Sequence, residues 1–69
     1  MNTYRISFRY QVNSSQWQED AKSVFPNWNG EPADYDPITN TIVITFATPQ
    51  TPTDLGPLVK VEVIPNPSN

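Results

Sequence analysis

The carboxylates Glu31, Asp34 and Asp36 lie close together in the segment NWNGEPADYDPITN, residues 27–40, beside Trp28 and Tyr35. Side chains of these types support three kinds of chemistry. With Asn29, the acids could offer oxygen ligands to a hard cation such as calcium or magnesium. Two of them could divide general acid and general base work. The acids and aromatics together could form a contact surface that receives arginines from another protein.

The first two readings fail on spacing and size. A helix–loop–helix calcium loop needs a longer acidic run and a glycine at its sixth place, and neither is present. Asp34 and Asp36 are two residues apart, which on a strand turns both to the same side. Asp36 precedes Pro37, where its carboxylate can accept backbone N–H groups and hold a turn. Paired-carboxylate catalysis needs one acid kept in an apolar pocket, and a domain of 69 residues has little room for one. There is no histidine to act as a base for a serine or threonine nucleophile, and no glycine-rich phosphate cradle, since Gly30 and Gly56 are the only glycines. No enzyme, metal or cofactor is expected.

The segment must be positioned by the elements around it. Tyr4, Ile6, Phe8, Tyr10 and Val12 alternate with Arg5, Ser7, Arg9 and Gln11, the pattern of a half-buried strand. Trp17, Ala21, Val24 and Phe25 then fall on one helical face, with Ser15 and Gln18 spaced as a capping box and Pro26 ending the helix. About three turns are expected. Residues 27–30 read as loop and residues 32–35 as a short strand. Residues 35–41 carry hairpin-turn chemistry, with Asn40 suited to the left-handed conformation that closes the turn. Residues 41–47 are rich in β-branched side chains and apolar on both faces, as an interior strand would be. Residues 48–57 form a proline-rich connection with a helical turn near Asp54. Residues 58–64, LVKVEVI, alternate again, and residues 65–69 read as a flexible tail.

The expected architecture is a single α+β domain over residues 1–69, of β-α-β-β-β order. One amphipathic helix packs on a mostly antiparallel four-stranded sheet. The first and third strands lie centrally; the short second strand and the last strand form the edges.

Composition narrows the function. Four basic residues face seven acidic ones, for a net charge of -3 and a sequence pI of about 4.4. Nucleic-acid binding leaves a basic footprint, so no direct nucleic-acid contact is expected, and anionic membranes are disfavoured on the same ground. The N-terminus alternates and does not read as a signal peptide, and no apolar run reaches the ~20 residues that span a bilayer. A cytoplasmic location is expected, in the cell or in an infected host cell. Without cysteine there is no disulfide, so stability must come from a core and from association.

These features favour a small acidic protein-binding module, an inhibitor or adaptor that occludes a surface of a partner, a class that includes virus-encoded antagonists. The alternatives are an acidic decoy that imitates a nucleic-acid backbone, and a structural subunit stable only in an oligomer or larger assembly. The candidate partner-binding residues are Trp28, Glu31, Asp34, Tyr35 and Asp36 in the acidic-aromatic segment, and Lys60 and Glu62 on the edge of the last strand. Trp28 and Tyr35 have two readings, as exposed anchors or as side chains folded back to cap the core. The last strand's edge has two readings: it can pair with a partner's strand or with a copy of itself, or the tail of residues 65–69 can fold over it and protect it.

Overall fold

A computed structural model describes residues 2–65. The tail expected at 65–69 lies, from residue 66 onward, outside the described residues. The elements run β1 (Asn2–Phe8), α1 (Trp17–Val24), β2 (Ala33–Asp36), β3 (Thr41–Phe46) and β4 (Val59–Ile64). The strands form one antiparallel sheet of order β2-β3-β1-β4, with the helix packed on one face. This is the α+β architecture read from the sequence, with β1 and β3 central.

Alternation decides the sheet's two faces. Tyr4, Ile6 and Phe8 of β1 and Ile42, Ile44 and Phe46 of β3 point to the helix side and are buried. There they meet Ala21, Val24 and Phe25 from the helix end. Phe25 lies 5.1 Å from Tyr4 and 5.0 Å from Phe46, ring centre to ring centre, so an aromatic trio fills the space below the helix C-terminus. Removing apolar surface of this kind from water, at roughly 25 cal/mol per Å², is the main force holding a chain without disulfides.

Three local expectations change. The alternation of β1 suggests a strand to Val12, but the strand stops at Phe8. Asn40, in the left-handed conformation (φ 57°), closes the β2–β3 hairpin and reaches across to that point. Its side-chain nitrogen donates to the Phe8 carbonyl (3.1 Å), and its side-chain oxygen accepts from the Val12 N–H (3.1 Å). The chain bends around this amide instead of continuing along the sheet. The helix is also shorter than expected, eight residues, and Ser15 does not cap it. Gln16 holds the N-cap position without a side-chain capping bond, while Asn13 takes the turn-forming role, accepting from the Ser15 N–H (3.1 Å) and hydroxyl (2.7 Å). Finally, the connection before β4 contains no helical turn near Asp54. The Asp54 carboxylate accepts the Gly56 N–H (2.9 Å) in a tight bend, and the Thr53 N–H donates to the Val24 carbonyl at the helix end.

The hairpin turn keeps the chemistry read from its sequence. The Asp36 carboxylate accepts the Ile38 N–H at 2.9 Å and the Thr39 N–H at 3.4 Å.

Candidate functional site

The acidic-aromatic segment does not fold into one patch. The structure sends its members to opposite sides of the sheet. Trp28 turns inward, 8% exposed, and joins the core cluster. Its indole N–H donates to the Glu31 carbonyl at 3.0 Å, so the polar edge of the ring is spent within its own loop. Of the two readings of Trp28, the core-capping one holds and the exposed anchor, with its place among the partner-binding residues, falls. A tryptophan outside any periodic pattern gives no signal of which way it faces, and here burial of its large ring beside Trp17 decides. Tyr35 follows it. Its ring stacks on Trp17, 5.8 Å between centres and 6° between planes, and its hydroxyl donates to the Val12 carbonyl. Trp17 links the two, with the Trp28 ring also 5.8 Å away, centre to centre, and tilted by 41°.

Glu31 closes the same loop, its carboxylate accepting the Asn29 N–H at 2.7 Å. A groove of about 540 Å³ remains between this loop and the helix, bordered by Trp17, Lys22, Trp28 and Glu31.

Asp34 and Asp36 go to the other face of the sheet. Cross-strand register sets Asp34 beside Val43, Val43 beside Arg5, and Arg5 beside Glu62. The next row runs Asp36, Thr41, Ser7 and Lys60. This open face therefore gathers Asp34, Asp36, Lys60 and Glu62, four of the candidate residues, around Arg5, which the sequence reading left among water-facing charges. A shallow depression of about 490 Å³ lies over these rows. The Asp36 carboxyl titrates below the ordinary carboxylate range, chiefly because it accepts the Ile38 backbone N–H and, next, because of the Thr39 side chain. It is occupied in holding its turn. Among the described residues, no group of three or more acidic side chains is placed to hold a metal ion, and no helix is long and apolar enough to cross a membrane.

The outer edge of β4 is the remaining candidate. The Arg9 N–H donates to the Leu58 carbonyl at 2.9 Å, which fixes the alternation of the β1–β4 ladder. Lys60, Glu62 and Ile64 share the parity of Leu58 and direct their backbone groups inward to β1. Val59, Val61 and Val63 direct theirs outward, away from the sheet. The Val59 N–H turns to the Gly56 carbonyl at 3.4 Å; the groups of Val61 and Val63 face the open side. Large apolar side chains surround this edge: Val63 is 73% exposed and Leu58 53% exposed. Sequence reasoning picked out Lys60 and Glu62 here but passed over Leu58 and Val63. Val63 alternates on the same side as Val61, a core-facing signal, yet it stays exposed near the end of the strand.

Compared with family models, with curated proteins and with solved structures, the chain has no match.

Proposed function

We propose that this chain is a small non-catalytic protein-binding module that works by strand addition, offering the outer edge of β4 to another polypeptide. The observation that carries this reading is the row of outward backbone groups at Val61 and Val63, bordered by exposed Val63 and Leu58. Unpaired N–H and C=O groups on a strand of this length form main-chain bonds to an added strand, while neighbouring apolar side chains supply burial. The acidic-aromatic segment supports this choice by being spent elsewhere: Trp28 and Tyr35 pack inward, and Glu31 and Asp36 bind their own loops. An inhibitor or adaptor that occludes a partner's edge fits this surface. A nucleic-acid decoy fits less well, since Arg5 sits between Asp34 and Glu62 and breaks their negative field.

Val63→Pro tests the reading. It removes an outward N–H but no bond to β1, at an exposed position on an edge strand that tolerates proline. Proteins captured on the immobilised wild-type chain should be lost on Val63→Pro and retained on an Asp34→Asn variant of the open face. Retention on Val63→Pro with loss on Asp34→Asn would move the contact to the open face and contradict the proposal.

A further inference from the structure

We propose that the β4 edge takes a second copy of this chain, paired antiparallel across a two-fold axis with Val61 opposite Val61 of the other copy. This rests on the edge reading above and supplies its partner.

The segment LVKVEVI, residues 58–64, has matching chemistry in both directions from Val61. Leu58 corresponds to Ile64, Val59 to Val63, and Lys60 to Glu62. An antiparallel two-fold pairing centred on Val61 sets each of these residues opposite its counterpart in the other copy. Lys60 of each copy then faces Glu62 of the other, so the edge is complementary to itself in charge as well as in apolar side chains.

The backbone agrees with the same register. The positions with outward groups are Val59, Val61 and Val63. Centring on Val61 brings outward positions together: Val61 with Val61, and Val59 with Val63. Each such pair can exchange main-chain bonds, apart from the Val59 N–H already turned to Gly56. Lys60 and Glu62 then occupy the intervening non-hydrogen-bonded positions, where opposite Cα atoms approach to about 4.5 Å and side chains interact most closely. Exposed Val63 meets Val59 on the helix side, and exposed Leu58 meets Ile64 on the open face.

Neighbouring registers are disfavoured by charge. Centring on Lys60 sets Lys60 against Lys60, and centring on Glu62 sets Glu62 against Glu62; like charges directly opposite destabilise a strand pair. The charges therefore select one register among those that the valines alone would allow.

A contact through one strand edge belongs to the small end of protein interfaces, below about 1,200 Å², so sedimentation equilibrium should extend to about 1 mM chain. The wild-type chain should show a reversible monomer–dimer equilibrium in this range. Lys60→Glu and Glu62→Lys each set like charges opposite one another, and each alone should raise the dissociation constant roughly tenfold or more. An equimolar mixture of the two variants should pair again, because an all-acidic edge then faces an all-basic one. A wild-type chain that stays monomeric throughout, or a mixture with no recovery, overturns the proposal. So does a dimer indifferent to these variants and to Val63→Pro. If self-association is absent while Val63→Pro still abolishes capture of another protein, only the second copy as occupant is refuted. If Val63→Pro leaves both self-association and capture unchanged, the edge reading is refuted too.

Discussion

The edge at β2 and the edge at β4 meet the same problem, backbone groups without a ladder partner among the described residues, in different ways. β2 has four residues framed by Pro32 and Pro37, and carries Asp34 and Asp36. Its ladder contains the Thr45 N–H bond to the Pro32 carbonyl, so only Ala33 and Tyr35 direct backbone groups outward. The Tyr35 ring is held by Trp17 and the Val12 carbonyl. Shortness, proline and charge are the usual means of blunting an edge. β4 is longer, with six residues; it carries Lys60 and Glu62, is flanked by Pro65 on one side only, and leaves Val63 exposed beside its outward groups. One sheet thus carries a guarded edge and an open one. A chain with no disulfide and a small core gains by protecting an edge it does not use, and the proposed contact falls on the other edge.

The largest test of this contrast is Trp28→Ala. If the β2 side is closed by packing, removing this ring should cost about 3–5 kcal/mol, comparable with the whole stability of a small domain. The variant should show a collapsed urea midpoint or no cooperative unfolding by circular dichroism. A folded Trp28→Ala chain with near wild-type stability would mean that the segment is surface, and the contrast between the edges would weaken.

Val63→Pro examines the other edge and should have a much smaller effect, less than about 1 kcal/mol in urea unfolding, because it breaks no ladder bond and its side chain is exposed. A loss similar to that of Trp28→Ala would show that β4 depends on this position for folding.

The smallest effect concerns Asp36, at the end of β2. Its carboxyl titrates below the ordinary range because the folded turn donates to the charged form, with the Ile38 N–H first. A depressed folded-state pKa contributes stability that is fully present above the unfolded value, near pH 4, and is lost as pH falls through the depressed value. Acid titration of the unfolding midpoint should show this loss below about pH 4 in the wild type. Asp36→Asn, which keeps the acceptor oxygen but not the charge, should flatten that part of the profile. An unchanged acid limb would remove Asp36 from the account.

How much of this was legible depends on the range of the interactions. The strands, the sheet order and the turn at Asp36 and Asn40 follow from alternation and local hydrogen bonding, and those signals lie within a few residues. The end of β1 is set by Asn40, whose amide reaches Phe8 and Val12 from the far hairpin, a contact that no window around β1 contains. Asn13 displaced Ser15 at the helix start because an Asx turn competes with a capping box for the same segment. The site divides in the same manner. Lys60 and Glu62 were readable as edge residues, and the parity of Asp34 and Asp36 put them together correctly. For Trp28 and Tyr35 the sequence offered both the inward and the exposed reading, and the choice between them depends on Trp17 in another element. The outward direction of the Val61 and Val63 backbone groups emerges only with the β1–β4 register.

The central claim, that the β4 edge is the contact surface and the β2 edge is not, is tested most directly by residue-resolved amide hydrogen exchange in dilute and concentrated solution. The Val61 and Val63 amides should exchange quickly in dilute chain and gain protection on concentration, while the Ala33 and Tyr35 amides stay unchanged. Protection appearing at Ala33 and Tyr35 instead, or no change at Val61 and Val63, would contradict it.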